Sequence, residues 1–214
     1  MKFYNIINLK LLNKFKMSNF DNHIVGIFQD DLETVKEFLK IAINTIIFNR
    51  WLTNKNYVCE KSAIKDISYM KIEDASVEKD IENILYNLSY YSTSCQKFQI
   101  NLEFYTKNKG LFLGFFQKKE SWEKWNILVI VSDKSSENKE KNMRKFLSLI
   151  IKQLNTDKNF MPDVDLEEFE NMSNNNNNNN DKSCNNFPYE LNINKEFEQN
   201  SIINIFKNRS FNSF

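Results

Sequence analysis

The chain carries a single histidine, three glycines, two prolines and three cysteines among its 214 residues. One histidine excludes the HExxH metalloprotease helix and histidine-rich zinc sites, and it removes most general-base chemistry. So few glycines leave no GxGxxG or GxxxxGK[ST] loop, which excludes the phosphate-cradling classes on motif grounds. Cys59, Cys95 and Cys184 are odd in number and far apart, and no CxxC pair exists. Free thiols in a reducing, cytoplasmic compartment are the direct reading. A Cys95–His23 nucleophile dyad is the alternative, but Ser92-Thr93-Ser94-Cys95-Gln96 contains nothing that activates a thiol. Charge of one sign is missing too. Lysine and arginine total 29 against 28 acidic residues, so neither a strongly basic nucleic-acid binder nor an acidic tail protein is expected. No run of 18 apolar residues occurs, so no transmembrane helix or stable membrane insertion is expected.

What is present is a globular composition, 41% hydrophobic and 27% charged, with length for one ordinary domain. Residues 1–16 (MKFYNIINLKLLNKFK) are basic and partly amphipathic, without a continuous signal core. They are read as a disordered extension, with a transit peptide or a lipid-surface helix as the alternatives. Met17 offers a second start.

The apolar run His23–Gln29 reads as a strand, and Asp30-Asp31 then supply helix-start acids. Apolar residues at 35, 38, 39, 42, 43, 46 and 47 define a helix over Leu32–Trp51. Lys65–Ile72 is a second strand. Glu73–Tyr91 is a second helix, capped by Asp74 or Ser76. Alternation in Phe98–Tyr105 and the apolar run ending Trp122–Val131 predict two half-buried or central strands. Asn138–Leu154 is a third helix, with Met143, Phe146, Leu147, Ile150, Ile151 and Leu154 on its apolar face. Phe187–Ile193 closes the set as a strand after Pro188. Seven consecutive asparagines, Asn174–Asn180, mark residues 172–186 as a disordered insertion. The order predicts an α+β fold, a mainly antiparallel sheet packed against three helices, with a long β-hairpin.

That hairpin carries the most informative segment. Between its strands lies TKNKGLFLGFFQKKES, Thr106–Ser121, which sets Leu111, Phe112, Leu113, Phe115 and Phe116 among lysines. Two readings are open from the residues. Either Leu111–Phe116 continues the strands into the core, or it is an apolar finger for another protein, rimmed by Lys107, Lys109, Lys118 and Lys119. Trp122 and Trp125 sit three apart; on a regular strand they point to opposite faces, so one is expected in the core and the other on the surface. The acidic groups Asp30, Asp31, Glu33 and Asp163, Asp165, Glu167, Glu168 lack EF-hand spacing and read as helix-start or solvated acids, with no metal expected. No RNP-type run accompanies the aromatics, so no nucleic acid is expected.

Several segments in one order resemble the autophagy-related protein 101 family of HORMA-domain proteins. Val35–Arg50 is similar to that family's first long helix, ending in a basic residue. Asn101–Tyr105 and the lysines after it resemble its hairpin opening, and Trp122-Glu123-Lys124-Trp125 its W-E-x-W on the returning strand. Phe160-Met161-Pro162 and Pro188-Tyr189 resemble its later steps. The resemblance spans roughly Met17–Leu191. It implies a HORMA domain over residues 17–214, no enzymatic activity and no cofactor. It implies an adaptor subunit of the autophagy-initiating kinase complex, in the cytoplasm and at the preautophagosomal structure. The implied partners are the HORMA domain of autophagy-related protein 13, in a heterodimer, and downstream autophagy factors recruited by a hairpin finger. The family's finger holds Trp-Pro-Phe; here Leu111, Phe112, Phe115 and Phe116 stand in its place. The alternative is another HORMA adaptor, of checkpoint or DNA-repair type, trapping a partner peptide under its C-terminal belt.

Overall fold

The computed structural model describes residues 21–50, 56–93, 96–109, 117–156 and 188–195. In chain order these form β1 (Asp21–Asp30), α1 (Leu32–Arg50), β2 (Tyr57–Lys61), β3 (Ser68–Ile72), α2 (Ala75–Tyr91), β4 (Lys97–Lys109), β5 (Gln117–Val131), α3 (Lys139–Thr156) and β6 (Tyr189–Lys195). The architecture is α+β, with three helices among the described residues, as the periodicities predict, and it is consistent with the HORMA-like fold that the resemblance implies.

Helix starts are set by side chains that accept from orphan backbone donors. Asp31 Oδ1 accepts from the Thr34 N–H at 2.8 Å and so caps α1. Burial raises the Asp31 carboxyl, but the Lys139 ammonium and the Thr34 N–H outweigh it and hold the group well below the usual carboxylate range. Asp74, one of the two expected caps, begins α2 by accepting from Ser76 and Val77 N–H groups.

The main sheet has the order β1-β5-β4-β6. β4 pairs antiparallel with β5 and with β6, whereas β1 pairs parallel with β5. The β1–β5 register shifts between Ile24 and Ile27, where Gly26 takes φ 98°. That conformation favours glycine, which has no Cβ to clash. A separate two-stranded sheet joins β2 to β3, and β3 lies against α1.

Side chains of Phe98, Ile100, Leu102 and Phe104 share one sheet face with Trp125, Ile127 and Val129, and all are buried. Phe28 of β1, on that face, stacks on Phe38 of α1 at 4.1 Å, and Phe146 of α3 meets both rings edge-on. α1 is central to the core: Val35, Phe38, Leu39, Ile43 and Ile46 are fully enclosed. The opposite sheet face carries a polar ladder. Gln99 Nε2 donates to Asn101 and Asn126 Oδ1, and Asn126 Nδ2 donates to Asn22 Oδ1. Among the described residues no helix is long and apolar enough to cross a membrane.

Candidate functional site: the projecting hairpin and its buried root

β4 and β5 form the longest pairing among the described strands, from Lys97 opposite Ile130 to Lys109 opposite Gln117. Their neighbours stop short of the end. β6 leaves β4 at Phe104, with one last bond from Tyr105 N–H to the Pro188 carbonyl. β1 leaves β5 at Glu123. Among the described residues, Thr106–Lys109 and Gln117–Glu120 therefore run on as a two-stranded ribbon with no strand on either side. A lone ribbon is marginally stable by itself, so its root has to be firm.

One extra residue on β5 shapes that root. Phe104 faces Glu123 and Tyr105 faces Ser121, so Trp122 is the inserted residue between two registered pairs. This bulge overturns the expectation for the tryptophan pair. A regular strand would send one ring outward, but the additional residue turns Trp122 back, and both rings are buried. Trp122 packs on Phe104 at 5.6 Å, and Phe104 in turn meets Tyr189 of β6 at 6.2 Å.

Beside the bulge lies a buried charge cluster. Arg50, the last residue of α1, grips Glu123 with two bonds of 2.7 Å, Nε to Oε2 and Nη2 to Oε1. His23 Nε2 lies 3.2 Å from Glu123 Oε1, and its ring stands 4.2 Å from that of Trp125. Burial pushes the Glu123 carboxyl up, yet the Arg50 and His23 hydrogen bonds prevail and hold it below its ordinary value. The fork geometry suits a carboxylate, and a cation at a helix C-terminus is favoured by the helix dipole. The cluster joins the end of the first helix to the middle of the returning strand, so it fixes how the hairpin leaves the body.

A second set of contacts steadies the ribbon from its surface. Lys119 pairs with Glu190 of β6 at 2.6 Å and covers the Tyr105 ring at 4.5 Å. The Glu190 hydrogen bond raises the Lys119 ammonium above its ordinary value. Tyr189 O–H donates to Asp80 of α2 at 2.9 Å, and Lys195 lies over the Tyr91 ring at 4.0 Å, so β6 is tied to α2 near both ends.

Leu111, Phe112, Phe115 and Phe116 lie outside the described residues, as do residues 1–16, the 172–186 insertion and Phe160-Met161-Pro162. Cys95 does so too, while His23 of the alternative dyad is engaged with Glu123 and Trp125. Cys59 is a free, exposed thiol. Among the described residues no group of three or more His, Cys, Asp or Glu side chains is placed to hold a metal ion. Sequence reasoning does not reach the Arg50–Glu123–His23 cluster. Its only signals there are an arginine closing an apolar helix and a glutamate between two tryptophans, and neither side chain names its partner.

A family profile described as autophagy-related protein 101 matches residues 28–168 of this chain. No individual curated protein matches it. The matched span runs from Phe28 of β1 to beyond α3, so it includes the whole hairpin and both halves of the Arg50–Glu123 pair.

Proposed function

Since the chain belongs to the autophagy-related protein 101 family, we propose that it is a non-catalytic adaptor subunit of the autophagy-initiating kinase complex. In this reading it pairs with the HORMA domain of autophagy-related protein 13 and stabilises it. It recruits downstream autophagy factors through the tip of the β4–β5 hairpin, in the cytoplasm and at the preautophagosomal structure. Family membership carries the autophagy role. The observation that supports the finger is the unaccompanied ribbon Thr106–Lys109 with Gln117–Glu120.

A ribbon anchored by a buried ion pair and a bulge can hold the segment between its strands away from the body. That segment contains Leu111, Phe112, Phe115 and Phe116, and it is far more apolar than the Lys-rich strands that lead to it. Each phenylalanine buried at a partner surface contributes about 1.5–3 kcal/mol, so two rings make a hot spot. Replacing Phe112 and Phe115 by Ser is expected to leave folding and co-purification with the partner HORMA domain intact. Recruitment of later autophagy factors in cells should be lost. Unfolding of the double variant would return these rings to the core. A folded, pairing variant that still recruits would remove the finger role.

A further inference from the structure

A cavity of about 210 Å³ opens between α1, β3 and α2, remote in sequence from the hairpin. Its floor is aliphatic: Ile72, Val77, Ile81 and Leu85. Its walls are polar, and their charges are unevenly answered. Lys40 bonds to Glu60 at 2.9 Å, and Lys71 bonds to Glu60 at 2.8 Å and to Glu78 at 3.2 Å. Those two cations and two carboxylates satisfy one another. Glu82 remains on the rim, exposed, with no ion pair to any described residue. Asn44 is 6% exposed and also lines the cavity; its Nδ2 donates to the Lys40 carbonyl, while among the described residues nothing donates to its Oδ1. The unanswered groups are thus acceptors and a negative charge.

The surface continues along α2. Glu78, Glu82, Tyr86 and Tyr90 recur every four residues, which sets them in one stripe along the helix. Tyr86 and Tyr90 are 72% and 68% exposed, among the few large apolar side chains of the described residues so open to solvent. Phenol faces beside carboxylates attract cations. The cavity itself is smaller than the roughly 300–1,000 Å³ of small-molecule sites. It has room for one aliphatic side chain.

We propose that this cavity and the adjoining stripe dock a short basic segment of a partner protein, which sets one leucine-like side chain on the Ile81–Leu85 floor and a lysine or arginine against Glu82 and Tyr86. An acidic segment would meet Glu82 with like charge. The docking surface is independent of the finger, and failure of the Phe112 and Phe115 replacements leaves it standing.

The test is an amide NMR titration of the full chain with a synthetic peptide, acetyl-AKALKAAK-amide, and with its counterpart bearing glutamate at each lysine. The basic peptide is expected to give saturable shifts at Asn44, Ile81, Glu82 and Leu85, weakening as salt rises. The acidic peptide should give none. Glu82→Lys should weaken binding about tenfold or more, and Glu82→Gln by less, with the amide spectrum otherwise preserved. Absent or scattered shifts, equal response to both peptides, or binding indifferent to both Glu82 variants would overturn the proposal. So would a concentration-dependent dimer abolished by Tyr86→Ser, which would assign the face to a second copy of the chain.

Discussion

Glu123→Leu isolates the buried ion pair. The carboxylate it removes accepts two bonds of 2.7 Å from Arg50, and the two side chains are 2% and 1% exposed. Solvent therefore neither screens the pair nor rescues the guanidinium once its partner is gone. Hydrogen bonds to charged groups contribute about 1.5–3 kcal/mol each, so two give roughly 3–6 kcal/mol. Measured costs of breaking buried pairs from one side are about 3–5 kcal/mol. Set against a total stability of about 5–15 kcal/mol, the single variant is expected to sit near the edge of folding. With a urea slope of about 2 kcal/mol per molar, its midpoint should fall by roughly 1.5–2.5 M. Arg50→Met alone strands the carboxylate beside His23 and should cost a similar amount. The double variant Arg50→Met/Glu123→Leu leaves no uncompensated charge, so its cost should be well below the sum of the two singles, by at least about 2 kcal/mol. Urea unfolding followed by tryptophan fluorescence reads all three, since Trp122 and Trp125 flank the cluster. Additivity within about 0.5 kcal/mol, or a single-variant cost under about 1 kcal/mol, would refute the idea that this pair fixes the hairpin root.

Ile43→Ala and Ile150→Ala remove fully enclosed side chains from α1 and α3. Each should cost about 2–5 kcal/mol in denaturant unfolding, and a value under about 1 kcal/mol at both would remove these helices from the core. The carboxyls of Glu123 and Asp31 are both held below their ordinary values. A depressed carboxyl contributes stability above its unfolded pKa, about 4, and loses it as pH falls through the folded value. The wild-type urea midpoint should therefore drop steadily below about pH 5, and Glu123→Gln should flatten that drop. An identical slope in the variant would mean that the pair does not report on folding.

The helices are legible in the sequence because spacing of three and four is a local property. Val35, Phe38, Leu39, Ile43 and Ile46 mark α1 before any neighbour is known, and the observed helix begins at Leu32 as predicted and runs through Arg50; Trp51, the predicted end, lies outside the described residues. β2 escapes for the opposite reason: Tyr57–Lys61 is exposed along nearly its whole length, so no alternation records it. The second strand is expected from Lys65, but Asp66 takes φ 60° and the pairing begins only at Ser68. The outer ends of β4 and β5, TKNK and QKKE, look like a connection in sequence, because they hold no apolar residue and so show no apolar period. The parallel pairing of β1 with β5 and the bulge at Trp122 depend on residues a hundred positions apart or on one inserted residue. Neither leaves a mark in composition. The candidate site divides along the same line: its apolar tip is conspicuous in sequence, and the Arg50–Glu123–His23 root is invisible until the fold joins its members.

The ribbon also sets the electrical surroundings of its own end. Four residue pairs beyond the last flanking strand, at about 3.3 Å per residue, carry that end roughly 13 Å off the sheet. That exceeds the Debye length of about 8 Å at physiological salt. Charges on the globular body are therefore largely screened from anything that approaches the end of the hairpin. The near-neutral balance of the whole chain says little about that encounter. Its field is local: the sequence sets lysines at 107, 109, 118 and 119 on the arm, of which Lys119 is already answered by Glu190 of β6. A chain with a formal net charge of +1 thus presents a cationic outpost, and the rate at which a partner finds it should follow the lysines of the arm rather than the charge of the molecule.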